Sequence, residues 1–336
     1  MTAPVPAPGL GADAVVADAV AAGLEAVEQR LRDVVHSSHP LLTEAATHLV
    51  QAGGKRFRPM LALLAGHLGD PSAPEVVEAA VVVELTHLAT LYHDDVMDEA
   101  AVRRGAASAN TRWTNTVAIL TGDYLFARAS DLVAELGPDA VRIQARTFAR
   151  LVEGQIAETA GPGAGEDPVS HHLRVIADKT GSLIATSARL GAMLAGADPA
   201  DVETVARFGE VVGTAFQLSD DLIDVLSDSA ESGKTPGTDL REGIRTLPVL
   251  LALQGPEPAP GTDAARLREL LTGDLSDDDR LAEALGLLRT SPAVAEAQAR
   301  LAASVAEARD VAAALPAGPA RDALVAVTGL VQQRTG

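Results

Sequence analysis

Glu84-Leu85-Thr86-His87-Leu88-Ala89-Thr90-Leu91-Tyr92-His93-Asp94-Asp95-Val96-Met97-Asp98 is an apolar run that ends in three carboxylates. Read as a helix, it places Asp94 and Asp98 one turn apart on the same face, with Asp95 beside them. Like charges at that spacing cost an isolated helix roughly a few tenths of a kcal/mol. The run leading into them is too apolar for a solvated face. A cation is therefore expected among the carboxylates. Oxygen-only ligands select a hard ion, and Mg²⁺ is typically held by one or two carboxylates together with substrate phosphates.

One such pattern would be weak evidence, but it recurs. Asp220-Asp221-Leu222-Ile223-Asp224 has the same spacing and closes another apolar run, Phe208 to Leu218. Two helices of this kind facing each other would form a multi-metal clamp for a diphosphate.

Composition agrees with a helical reading. The 336 residues are 47% hydrophobic but only 2% aromatic, which means a core of Ala, Leu and Val suited to closely packed helices. Alternating β-branched runs are few, and no linker-like stretch divides the chain. The expected fold is therefore all-α in one domain over 13–336, after a disordered Pro/Ala/Gly-rich lead-in at 1–12. A net charge of −19 argues against a nucleic-acid partner. There is no cysteine, hence no disulfide framework and no thiol chemistry. The lead-in lacks the basic start of a signal peptide, and no uninterrupted run approaches the roughly 20 apolar residues of a membrane span. A cytoplasmic protein is expected, with at most a peripheral membrane contact.

Outside the acidic motifs, several stretches could bind anions. In Gly53-Gly54-Lys55-Arg56-Phe57-Arg58-Pro59, two glycines allow close backbone approach, and Lys55 and Arg58 supply charge. The alternative is a helix N-terminus with scattered basic residues. Arg103-Arg104-Gly105 lies just past the first acidic group. Lys179-Thr180-Gly181 sits inside a helical run, where glycine costs about 1 kcal/mol against Ala and suggests a kink or a close ligand. Lys234 falls in the loop Ser232 to Asp239. Helix starts are expected at Asp70-Pro71 with Pro74, Asp167-Pro168, Asp198-Pro199 and Ser291-Pro292, and an interruption at Gly122-Asp123. Asp277-Asp278-Asp279 reads as an N-cap with an acidic first turn.

Taken in order, these pieces resemble the trans-polyprenyl diphosphate synthase family. The resemblance spans about Gly53 to Pro248 and rests on Gly-Gly-Lys-Arg-Phe-Arg-Pro, the first aspartate motif with Arg103-Arg104-Gly, Lys179-Thr180-Gly, Phe216-Gln217 leading into the second aspartate motif, and Gly233-Lys234. It implies an antiparallel helical bundle of the isoprenoid synthase type, with the acidic helices at the mouth of a deep apolar cavity. It implies Mg²⁺ ligated by Asp94 and Asp98 from one side and Asp220 from the other, with Asp95, Asp221 and Asp224 orienting ligands or bound waters. Arg103, Lys179 and Lys234, helped by Thr180 and Gln217, would hold an allylic prenyl diphosphate. Lys55, Arg58, His87 and Arg104 would hold isopentenyl diphosphate. Family members are usually homodimers, so a homodimer is expected. One departure stands out: the family commonly has Lys after the Gly that precedes its Thr-Leu-Pro, and here Gly243 is followed by Ile244, then Arg245.

A class I terpene cyclase shares the first motif, but its second is usually Asn/Asp-x-x-x-Ser-x-x-x-Glu, and it needs no isopentenyl diphosphate site. A non-catalytic partner subunit would be expected to lose carboxylates, and none is lost. Product length is read from Ala89 and Thr90, five and four residues before Asp94 and about 6–7.5 Å below it along a helix. A large aromatic residue there commonly stops elongation in the family. Small residues leave the path open and point to products longer than geranylgeranyl. The alternatives are a short-chain synthase plugged by Tyr92, Tyr124 or Phe126, or small residues that serve helix packing alone.

Overall fold

The structure, a computed structural model, describes residues 13–227 and 236–334. The lead-in at 1–12 and Lys234 lie outside the described residues. From the N-terminal side the helices are α1 (Ala14–Val34), α2 (Pro40–Gln51), α3 (Phe57–Gly66) and α4 (Pro74–Met97). A small antiparallel hairpin of β1 (Val102–Arg103) and β2 (Ala106–Ala107) follows. Then come α5 (Ala109–Arg112), α6 (Asn115–Glu135) and α7 (Pro138–Ala160). Next, α8 (Pro168–Ile176) continues through a π-helical turn, Ala177–Gly181, into α9 (Ser182–Leu194), and α10 (Pro199–Leu226) carries the second acidic group. The remaining helices are α11 (Thr238–Arg241), α12 (Leu247–Leu253), α13 (Asp263–Leu271), α14 (Asp278–Thr290), α15 (Pro292–Ala313) and α16 (Pro319–Gln333).

Local chemistry sets most of the helix starts. Asp13, Thr114, Asp167, Thr262 and Asp277 each accept a bond from a backbone N–H in the first turn of the helix they precede. Proline opens α2, α4 and α8, where its missing N–H is no loss. The expected break at Gly122-Asp123 does not occur, and α6 runs straight through. Gly122 serves packing instead: a Cβ there would lie 2.4 Å from His93 Nε2 and 3.1 Å from the Ala89 carbonyl oxygen, both on α4. The glycine lets the two backbones approach, which offsets its poor helix propensity.

The chain forms two compact units, each drawn from three segments. The first takes the described part of Met1–Ala149 with Ser182–Gly209 and Val311–Ala326. At its centre is α4, packed against α1, α3, α6 and α9. Its apolar residues face every direction because it has neighbours on every side. Leu85, Leu88 and Tyr92 of α4 are fully buried with Leu61, Leu64, Leu125 and Ile184, at about 1.5–3 kcal/mol of transfer free energy each. Among the described helices, α4 is the one long and apolar enough to cross a membrane, a property that reading uninterrupted runs alone misses. With 67% of its most apolar window buried inside the protein, it is a core helix.

The second unit takes the described parts of Arg150–Gly181, Glu210–Asp310 and Val327–Gly336. Here α12 packs on α8, α13 and α14, through buried Leu247, Leu250, Leu267, Leu270, Leu281 and Leu288. Arg289 donates to the carbonyls of Val225 (2.7 Å) and Ser227 (3.1 Å), closing the C-terminal end of α10.

Candidate active site

Both acidic motifs lie at helix C-termini, where the backbone dipole is itself negative. Carboxylates placed there are doubly unfavourable unless a cation joins them. At the end of α4 the cation present is Arg103 from β1. Its Nε donates to Asp95 Oδ1 at 2.6 Å, and its Nη2 lies 4.0 Å from Asp98 Oδ2. Asp95 is 0% exposed, and its Oδ2 has no hydrogen-bond partner among the described residues. Asp94 is half-buried and Asp98 exposed.

One face of α4 continues from this end back through His87 to Glu84, which is 2% exposed. Glu84 is the hub of a cationic group. Arg56 Nη1 donates to Glu84 at 2.6 Å, its Nη2 to the Val50 carbonyl at 3.0 Å, and its Nε to Glu28 on α1. Arg104 Nη2 approaches Glu84 at 3.9 Å and His87 Nε2 at 3.5 Å, while its Nη1 donates to the Gly53 carbonyl. Arg56 and Arg104 both sit in the left-handed backbone region, with φ of 47° and 54°. Such strain persists only where surrounding contacts enforce it, and it collects at binding sites. Burial, opposed by Glu84 and reinforced by Arg104, pushes Arg58 down to about 10. Desolvation and the facing guanidinium groups of Arg58 and Arg104 hold His87 well below the usual imidazole range, so it is neutral at physiological pH. Lys55 is exposed at the same loop.

At the end of α10 the partners are different. Asp221, 2% exposed, accepts from His172 Nε2 of α8 at 2.8 Å and from the Leu247 N–H at 3.1 Å. Asp220 accepts from Arg334, just past α16, whose guanidinium also lies 4.1 Å over the ring of Phe216. Asp224 is buried. The suspicion of a kink at Gly181 is met by the π-helical turn, which carries both Lys179 and Thr180. Lys179 Nζ pairs with Glu158 of α7 at 2.6 Å, and Thr180 Oγ1 lies 3.4 Å from Gln217 Oε1. The widened turn presses on α7 at Gly154, where a Cβ would come within 2.9 Å of the Lys179 nitrogen.

Among the described residues no three Asp, Glu or His side chains converge closely enough to hold a metal by themselves. An ion bound here would complete its shell from phosphate oxygens, as Mg²⁺ commonly does. The residues fit a hard divalent ion. The donors are oxygen only, Asp95 Oδ2 has no hydrogen-bond partner among the described residues, and guanidinium cations rest against both motifs.

Below Asp94, Ala89 is fully buried with its carbonyl against Gly122. Thr90 Oγ1 bonds the His87 carbonyl at 2.8 Å. Of the three aromatics that could plug the path, Tyr92 turns its hydroxyl to the Ala45 carbonyl of α2, and Tyr124 donates to the His36 carbonyl at 2.5 Å. Phe126 packs on Phe148 (4.3 Å between ring centroids) and His93 (5.7 Å). Ile244 is 46% exposed and Arg245 is exposed, both between α11 and α12.

The sequence reading missed Glu84, Arg56, His172 and Arg334. Glu84 had a signal, a lone acid inside an apolar run. His172 and Arg334 carry none, because their partners on α10 are 49 and 114 residues away.

A family model described as polyprenyl synthetase matches residues 39–288. A nonaprenyl diphosphate synthase of Mycobacterium tuberculosis is 52% identical over 96% of each chain. A geranylgeranyl pyrophosphate synthase from Corynebacterium glutamicum, solved with calcium and isoprenyl diphosphate, superposes with a TM-score of 0.85 at 45% identity, covering 96% of this chain and 98% of that one. A decaprenyl diphosphate synthase from Rhodobacter capsulatus does so with a TM-score of 0.85 at 34% identity, covering 96% and 99%.

Proposed function

The chain belongs to the polyprenyl synthetase family, and from that premise we propose that it condenses isopentenyl diphosphate head to tail with an allylic prenyl diphosphate, giving an all-trans polyprenyl diphosphate longer than geranylgeranyl. It is a transferase. The observation that carries the reading is the cationic group around Glu84. Three guanidinium groups, Arg56, Arg58 and Arg104, face two carboxylates, Glu28 and Glu84, so positive charge is in surplus even before Lys55 is added. A diphosphate matches that surplus. A terpene cyclase, which takes one diphosphate, has no use for it.

Bound Mg²⁺ would supply charge that stabilises the departing diphosphate, held through Asp94 and Asp98 on α4 and Asp220 on α10. The chain's own groups do the rest. Lys179 and Arg103, with Lys234, Thr180 and Gln217, bind the allylic diphosphate, and Asp95, Asp221 and Asp224 orient ligands or bound waters. Lys55, Arg58 and Arg104 bind isopentenyl diphosphate, while neutral His87 gives a hydrogen bond without adding charge. Apolar side chains of α4 keep water from the allylic cation. The double bond of isopentenyl diphosphate attacks that cation, a carbon–carbon bond forms, and the released diphosphate takes the proton. No protein nucleophile is needed. The same reading makes the enzyme a cytoplasmic homodimer that touches the membrane peripherally as it releases product.

The test is to incubate the pure chain with Mg²⁺, farnesyl diphosphate and excess isopentenyl diphosphate and resolve products by length. Products in the hexaprenyl to decaprenyl range are expected. Geranylgeranyl diphosphate alone would overturn the length, and a cyclised hydrocarbon would overturn the reaction.

A further inference from the structure

We infer that Arg334 is a positioning residue for the second acidic motif, a built-in counter-cation that holds Asp220 in the metal-free protein and competes with the divalent ion for it. The inference rests on the reading that Asp220 ligates metal. Arg334 donates through Nη2 to Asp220 Oδ1, and its guanidinium stacks 4.1 Å over Phe216. Phe216 stands one turn before Asp220 on α10, on the same face. A planar cation held by a carboxylate at one edge and a ring across its face has its position set twice.

The neighbouring carboxylate shows why this contact differs from ordinary cross-linking. Asp221 is buried and accepts from a backbone N–H and an imidazole that tie it to α12 and α8. Asp220 is more open, its side chain 28% exposed. Arg334 is also incompletely satisfied: its Nη1 is buried with no hydrogen-bond partner among the described residues. A buried donor without an acceptor is costly, so this bridge is weaker than a saturated one and easier to exchange. A metal ion and a guanidinium cannot share the same carboxylate oxygen without strong mutual repulsion. Loading the metal through the Asp220 oxygen that Arg334 holds therefore requires the arginine to leave it, and loading through the other oxygen sets the two cations against each other. Until then the arginine relieves the charge that three carboxylates and a helix C-terminus concentrate at one place.

The consequence is a threshold. Wild-type protein should bind free divalent ion at Asp220 more weakly than the carboxylates alone would. The experiment counts Mn²⁺, a hard ion with similar ligand preference, by electron paramagnetic resonance on intact wild type, Arg334→Gln, Arg334→Lys and Asp220→Asn. Inorganic diphosphate is present in every sample to complete the ion's shell, and no prenyl substrate is, so activity plays no part. Arg334→Gln should tighten the weakest-held Mn²⁺ by roughly threefold to tenfold, the scale of one partly exposed ion pair with a ring contact. Arg334→Lys keeps the charge but loses the stack and should fall between. If Asp220→Asn loses Mn²⁺ while Arg334→Gln binds as wild type does, the inference is wrong and the metal reading stands. If Asp220→Asn also binds as wild type does, the metal reading at Asp220 fails and takes this inference with it. Arg334→Lys, the milder change, still decides the matter should Arg334→Gln not fold.

Discussion

The two acidic helix ends share one five-residue pattern and balance it in opposite ways. On α4 the counter-charge is local: Arg103 lies five residues beyond Asp98, on a hairpin that turns straight back onto Asp95. On α10 it is assembled from afar, with His172 49 residues away, the Leu247 N–H 26 away and Arg334 114 away. The first end is a self-contained unit of sequence. The second depends on three other helices being in place. Identical motifs can therefore differ in how they fail: damage to the first should act through nearby residues, damage to the second through distant ones.

The sharpest way to break this comparison is to remove one carboxylate from each end. Asp94→Ala and Asp220→Ala should each lower turnover by more than about 100-fold while the helical circular dichroism stays intact. Near wild-type turnover in either variant would show that the two ends are not both metal sites.

Next in size is a change in product. Positions five and four before the first aspartate are Ala89 and Thr90 on α4, but Ala215 and Phe216 on α10, where the ring is taken up by Arg334. Only α4 is thus expected to measure the growing tail. Ala89→Phe should shorten the main product and cost about 1–3 kcal/mol of stability by overpacking against α6. Destabilisation with unchanged product length would mean that Ala89 serves packing alone, and that any floor is the Phe126–Phe148 pair.

A smaller effect sets the cationic surroundings of α4 apart. His87 is held well below 6.5 when folded, so the unfolded chain takes up its proton first as pH falls. Stability should be complete above about pH 6.5 and decline below it, by at most about 1.4 kcal/mol per pH unit from this residue. Urea midpoints between pH 7.5 and 5 measure the slope, and His87→Gln should flatten it. An unchanged slope would place the acid sensitivity elsewhere.

The smallest effect is expected at Arg245. If it partly replaces the lysine that Ile244 displaces, Arg245→Ala should raise the Michaelis constant for the allylic substrate about twofold to fivefold, the scale of an exposed ion pair. No change would make Ile244 a true loss.

What the sequence disclosed follows the same divide. Prolines and capping side chains act on the next turn of chain, so the starts of α4, α8, α14 and α15 could be read directly. The duplicated carboxylates were visible because their spacing is a property of one helix. The β1–β2 hairpin was not seen, since two residues a side leave no periodicity. Gly122 was misread because local propensity opposes a helix there, and the reason it is tolerated lies on α4. Arg56 was visible only as one charge in a basic loop. Its role depends on Glu28 and Glu84, each 28 residues away, meeting at one guanidinium.

The π-helical turn at Ala177–Gly181 sets a constraint of a different kind. An ordinary helix advances about 100° per residue, and a turn with one residue more than usual shifts all that follows by about that angle. Within the turn, the directions of Lys179 and Thr180 are therefore set by an insertion rather than by their order in a regular helix. Shortening this segment by one residue would restore regular spacing, yet it would swing Lys179 and Thr180 away from Glu158 and Gln217. The segment should accept changes of residue type more readily than any change of length.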